Sequence, residues 1–224
     1  MVTSPGRLYL ADQRGLIQSS SLQQHCTFNY SSYIAGNREA IGALKVFNDS
    51  ILAAGKSAFT GGNSASVIVL IPVTGSLVFK NDANETITIE VGQVLVDKLS
   101  EGGYFKVINP YQDDWINFYH FEFEITDAEN TPSLFEFDFE NETGKLIPIT
   151  EDQNLSICIG HFNGRQEEAY HLQGKTYFYA TVIAGAFEVE GRLLHQRDSL
   201  ALWNVESVEL EALSNHAVIL ILSF

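Results

Sequence analysis

The segment VIVLIPVTGSLVF, residues 67–79, returns as YFYATVIAGAFEV, residues 177–189. Each copy is a run of branched and aromatic residues, then a glycine, then a second short apolar run. Gly75 and Gly185 stand about half a chain length apart in 224 residues. The likeness continues downstream. Residues 87–96 and 104–109 in the first copy are matched by 196–202 and 208–214 in the second. Solenoid repeats have periods of roughly 20–50 residues. A repeat at half the chain therefore means two copies of one β domain.

Working outward, period-two alternation dominates the rest of the chain. Phe121, Phe123 and Ile125 alternate with His120, Glu122 and Glu124, and Phe135, Phe137 and Phe139 with Glu136, Asp138 and Glu140. Such alternation in aromatic and branched residues predicts half-buried strands of antiparallel sheets. Short helical turns are expected only at 20–24 and 127–132. The acidic segment 118–140 is expected to carry the crossover between copies. The resulting fold class is all-β, two tandem jelly-roll-like barrels, with domains at 1–125 and 126–224.

Composition narrows the partners. Thirteen basic and 28 acidic side chains leave a net charge of −15. Such a surface repels phosphate backbones and anionic lipid, which argues against nucleic acid and membrane as partners. No apolar run approaches the ~18 residues of a membrane-spanning helix. The first residues lack the apolar core of a signal peptide. Cys26 and Cys158 form no CxxC and read as reduced thiols. The expected compartment is the cytoplasm, and the expected assembly a monomer or homodimer.

An ordered set of motifs resembles the pirin-like bicupins of the cupin superfamily. It runs DQRG (12–15), TFNY (27–30), GALKVFND (42–49), PVTGSL (72–77) and EVGQ (90–93). It continues through GAFEVEG (185–191), RDSLALW (197–203) and AVILIL (217–222). The resemblance implies one metal in the N-terminal barrel, held by three His and one Glu, and in some members oxidative opening of flavonols such as quercetin. Counting from Gly75 and from Asn109-Pro110, the ligand positions fall on Gly61, Asn63, Phe105 and Val107; a slip of one residue moves the last two to Lys106 and Ile108. A divalent centre needs imidazole or carboxylate donors at about 2.0–2.2 Å. Glycine, phenylalanine and valine have none, and residues 59–74 contain no His, Cys, Asp or Glu.

The leading expectation is therefore a metal-free bicupin with no cofactor and no catalytic residues. It would bind a small molecule or a protein. The candidate pocket residues, at or near the lost ligand positions, are Gly61, Asn63, Ser66, Phe105, Lys106 and Val107. Asn63, Ser66 and an inward Lys106 would suit a carboxylate or enolate. Two alternatives stand beside it. One is a quercetinase-like dioxygenase with a displaced site, for which His120, Glu122 and Glu124 supply the right residue types. Alternation alone, however, predicts a solvated or interdomain face for those three. The other is an acidic scaffold for a basic partner. His161, His171, His195 and His216 are scattered and form no ligand pair. Cys26 and His25 are strand neighbours and point to opposite faces, so they make no nucleophile–base pair.

Overall fold

The computed structural model describes residues 4–62, 64–125, 132–139, 141–151 and 154–224. In chain order its strands are β1 (Gly6–Tyr9), β2 (Gly15–Gln18), β3 (Leu22–Cys26), β4 (Leu44–Leu52), β5 (Ser57–Gly61), β6 (Ser66–Thr74) and β7 (Leu77–Asn81). Then come β8 (Thr86–Ile89), β9 (Gln93–Leu99), β10 (Tyr104–Ile108), β11 (Ile116–Glu124), β12 (Ser133–Glu136), β13 (Lys145–Glu151) and β14 (Ser156–Phe162). The last are β15 (Glu167–His171), β16 (Tyr177–Ala184), β17 (Ala186–Val189), β18 (Arg192–His195), β19 (Ser199–Trp203), β20 (Ser207–Ala212) and β21 (Ala217–Ser223). Among the described residues the only helix is a 3-10 turn at Ala11–Gln13, and no helix is long and apolar enough to cross a membrane.

The fold is all-β, a tandem cupin. Residues 14–136 form one compact unit; the described parts of 1–13 and 137–224 form the other. The first unit has a seven-stranded sheet, β12-β9-β6-β11-β4-β3-β2, and a four-stranded sheet, β5-β10-β7-β8. The second has β1-β19-β16-β21-β14-β13 and β15-β20-β17-β18. Adding ten to a strand number carries β9-β6-β11 onto β19-β16-β21 and β10-β7-β8 onto β20-β17-β18. The repeat seen at Gly75 and Gly185 is thus a repeat of strand order. Both glycines sit at positive φ, +72° and +75°, between corresponding strands. A Cβ on Gly75 would meet Ile116, and one on Gly185 would meet Ser214 and Ala217. The turn needs glycine for conformation and for space.

The unit boundaries differ from the single cut at 125/126. β12 pairs with β9, so the first unit runs on to Glu136. β1, from the start of the chain, pairs with β19 and joins the second unit. Each lies on the edge of its sheet beside equivalent strands. No local pattern in a four-residue strand specifies a partner almost two hundred residues away. The crossover expected over 118–140 is also displaced. Residues 116–124 are β11, a central strand bonded to both β4 and β6. The helical turn expected at 20–24 is instead a bend entering β3, which pairs with β4. Apart from Pro132, the turn expected at 127–132 lies outside the described residues.

In the first unit the core fills the space between the two sheets. Leu52, Ile68, Leu70, Leu95 and Phe118 come from the larger sheet and Leu77, Phe79, Ile89, Phe105 and Val107 from the smaller. The second unit repeats this with Phe178, Val182, Leu200 and Ile219 against Phe187, Leu194, Val208 and Leu210. Burying an aliphatic or aromatic side chain of this kind is worth about 1.5–3 kcal/mol. Each core is therefore a substantial source of stability for its unit.

Candidate functional site in the first barrel

Strand alternation fixes which predicted residues face inward. On β10, Phe105 and Val107 are buried in the core. Tyr104 and Lys106 therefore take the opposite face. On β5 the alternate residues Ser57, Phe59 and Gly61 are exposed, and Ala58 and Thr60 are half-buried. Ser66 is buried and shares the inward face of β6 with Ile68 and Leu70. The structure thus brings Ser66, Phe105 and Val107 to the barrel interior. Gly61 and Lys106 lie on the outer face of the smaller sheet, so an inward lysine beside Ser66 does not form. Asn63 lies outside the described residues.

The interior carries a polar group that the spacing did not isolate. His120 on β11 stands opposite Asn48 on β4, which stands opposite Cys26 on β3. Cross-strand partners share a face, and on the other side His120 stands opposite Leu70 of the core. The expectation of a solvated or interdomain face for His120 and Glu122 is therefore corrected: His120 is 2% exposed and its side-chain neighbour Glu122 is nearly buried. Alternation misled here because both faces of β11 are covered. On the opposite face Phe121 stacks on Phe47 at 5.4 Å. Glu124, at the strand end, is exposed and pairs with Lys45 at 3.0 Å.

Several polar atoms in this group have no protein hydrogen-bond partner. They are both amide atoms of Asn48, which is 0% exposed, Nε2 of His120 and Oγ of Ser66. Glu122 Oε1 lies 2.9 Å from His120 Nε2. That distance is an ion-pair contact, but the ring N–H does not point at the carboxylate, so it is not a directed hydrogen bond. One row further along, Gln24 Nε2 donates to Ser50 Oγ at 3.3 Å, so the polar neighbours there satisfy each other. The signal for Asn48 was present in the sequence. On β4 the inward positions read Val46, Asn48, Ser50 and Leu52, so two polar residues interrupt an apolar face.

Aromatic rings wall the group. His120 meets Phe105 edge-on at 5.2 Å and Tyr30 edge-on at 6.4 Å. Burial pushes the Tyr30 phenol up to about 12, against a hydrogen bond with Thr60 that favours ionisation; the Glu122 carboxylate adds to the rise. Burial likewise raises the Cys26 thiol to about 12, partly offset by Arg14. Asp97, opposite Ile68 on β9, is also raised, first by burial; Lys98 N and Asn81 Nδ2 donate to it at 2.8 and 3.3 Å. Because burial excludes water, each of these groups holds its proton more tightly than it would in solution.

The donor set does not fit a metal at the positions implied by the bicupin resemblance. Gly61 has no side chain and lies opposite the outward-facing Tyr104. Phe105 and Val107 present only carbon, and the Phe105 ring packs on Phe79 at 5.8 Å. Among the described residues no group of three or more His, Cys, Asp or Glu converges as metal ligands would.

The second barrel holds a different feature. A surface groove of about 830 Å³ is lined by Glu167, Glu188, Glu190, Glu209 and Glu211, with Arg192 at one side. Several of these carboxylates are engaged: Glu211 with Arg165 at 3.0 Å, Glu190 with Glu209 N at 3.0 Å. Elsewhere in this unit His161 and His216 stack at 5.6 Å, while His171 and His195 are exposed.

Residues 143–222 match the quercetinase C-terminal cupin domain. Quercetin 2,3-dioxygenase of Escherichia coli K12 is 20% identical over 221 residues, covering 94% of this chain and 95% of that protein. The crystal structure of YhhW from Escherichia coli aligns with TM-score 0.86 at 16% identity, covering 98% of this chain and 97% of that one. Bacterial pirin YhhW in complex with nickel(II), also from Escherichia coli, aligns with TM-score 0.86 at 16% identity and covers 98% and 99% of the two chains. YhaK from Escherichia coli aligns with TM-score 0.73 at 15% identity over 88% of this chain and 92% of that one.

Proposed function

We propose that the chain is a pirin-like bicupin that works without the family's metal, as a non-catalytic binding protein for a small organic molecule; the match of residues 143–222 to the quercetinase C-terminal cupin domain and the full-length likeness to quercetin 2,3-dioxygenase support the family reading. The observation that carries this reading is the buried Asn48–His120 pair. Both Asn48 amide atoms and His120 Nε2 lack a protein hydrogen bond, although Nε2 lies 2.9 Å from Glu122 Oε1, in a place where an unmade hydrogen bond costs about 1–3 kcal/mol. A ligand that presents a donor next to an acceptor would satisfy them. A primary amide, a protonated carboxylic acid or a hydroxy-carbonyl compound has that pattern. Phe105, Tyr30 and Leu70 supply apolar walls for the rest of such a molecule.

The test uses untagged protein purified without chelators, measured by elemental analysis and by native mass spectrometry. We expect no stoichiometric metal. We also expect either a co-purifying organic adduct or thermal-shift hits from small amides and hydroxy-carbonyl compounds, lost in Asn48→Leu. Iron, copper, nickel, manganese or zinc near one per chain would overturn the reading. So would a ligand screen whose hits all survive Asn48→Leu.

A second reading has one observation in its favour. Two donors on one metal stand about 3 Å apart, and His120 Nε2 and Glu122 Oε1 are 2.9 Å apart without hydrogen-bond alignment. A displaced metal there would revive oxygenase chemistry. It predicts stoichiometric metal in the wild type and its loss in His120→Gln.

A further inference from the structure

We propose that the outer face of the four-stranded sheet in the first barrel is a binding platform for planar aromatic anions, independent of the interior site. The placement follows from register. Lys106 on β10 stands opposite Phe59 on β5 and opposite Lys80 on β7. Tyr104 stands opposite Gly61. Because Phe105 and Val107 are committed to the core, Tyr104 and Lys106 must face outward with Phe59 and Lys80.

Phe59 is 66% exposed and Tyr104 43% exposed. Their rings stack at 5.1 Å with 28° between planes. Gly61 leaves the strip in front of Tyr104 flat; a Cβ there would meet only the Phe59 ring, at 3.8 Å. The two stacked, exposed rings together form an apolar patch beside Gly61.

Charge selects the occupant. The chain has 28 acidic and 13 basic side chains, yet this strip presents two lysines. Neither Lys80 nor Lys106 is in an ion pair among the described residues. The one acid on the strip is Asp82, whose Oδ2 accepts from Tyr104 N at 3.3 Å. The neighbouring β8 adds Thr86 and Thr88, which are uncharged. An aromatic ring stacked on Phe59 and Tyr104 would place its carboxylate or phenolate within the field of both ammonium groups. A long polyanion such as single-stranded nucleic acid uses the same stacking chemistry, but the net charge of −15 repels it. A second copy docking face to face about a two-fold axis would set lysines against lysines.

The probe is 2-naphthoate, titrated into the full chain by calorimetry at low salt, with 2-naphthamide as its uncharged counterpart. Saturable naphthoate binding is expected. Phe59→Ser should abolish it, and the double variant Lys80→Gln/Lys106→Gln should weaken it about fivefold while leaving 2-naphthamide unaffected. Asn48→Leu should leave it unchanged. The proposal is overturned by non-saturable binding, by binding that survives all of the outer-face substitutions, or by binding lost only in Asn48→Leu. It is also overturned if sedimentation shows a dimer that Phe59→Ser dissolves, which would make a second copy the occupant. Phe59, Lys80 and Lys106 all lie on the outer face of the sheet, so substitutions there test binding rather than folding.

Discussion

Replacing Asn48 by leucine should make the first barrel more stable while removing the proposed ligand site. Asn48 is fully buried, and neither its amide oxygen nor its amide nitrogen has a protein partner. Each such atom costs roughly 1–3 kcal/mol relative to a satisfied or apolar atom. Leucine has the same branching, so both penalties disappear together. A misfit of about 1 kcal/mol is expected because leucine is tetrahedral where the amide is planar. The net gain is therefore about 1–5 kcal/mol in unliganded protein. The assay is urea denaturation followed by Trp115 fluorescence in a Trp203→Phe background, since Trp115 lies within residues 14–136 and Trp203 does not. The midpoint should rise by roughly 1 M, given typical urea slopes. A midpoint lowered by the equivalent of more than about 1 kcal/mol would refute the reasoning, because it would mean the amide is satisfied in the folded chain. A gain in stability on losing Asn48 is what a residue kept for binding rather than for folding would give.

Three further outcomes follow from the same structure. Burial raises Asp97 above its ordinary value of 3.8, so the folded state binds a proton more tightly than the unfolded chain. Its contribution favours folding below that value and is lost as pH rises through the folded pKa; Asp97→Asn, which keeps an acceptor for Lys98 N, should flatten the fall in denaturation free energy above about pH 4. Cys26, with its thiol raised to about 12 and fully buried, should resist iodoacetamide at pH 8 in native protein and react only as the barrel unfolds; labelling at the rate of a free thiol peptide would contradict its placement. Gly185→Ala should lower the melting temperature of the second barrel clearly more than Gly174→Ala. Both glycines have positive φ, but a Cβ at Gly185 meets Ser214 and Ala217 while one at Gly174 meets open space.

Much of the fold was legible from local pattern. Period-two alternation marks a strand because side chains on a strand alternate faces. A glycine between two apolar runs marks a turn that needs positive φ. Both signals are local, and their recurrence at Gly75 and Gly185 is enough to give two copies of one β domain. That Phe105 and Val107 offer no donor atom to a metal was also legible, because their side chains contain only carbon and hydrogen.

Three things only the tertiary structure decided. β1 crosses to the second barrel and β12 stays with the first, because an edge strand is chosen by whichever sheet edge offers backbone partners, and sequence does not encode that distance. Lys106 faces outward and Phe105 inward, because a one-residue shift in register reverses every side chain, and only the packing of β10 against the core fixes it. His120, Glu122 and Asn48 meet inside the barrel, although alternation alone assigned His120 and Glu122 to a solvated or interdomain face. A strand flanked by other strands and covered on both sides buries polar and apolar residues alike. What lies on each face is then set by the neighbouring strands, not by the pattern along β11 itself.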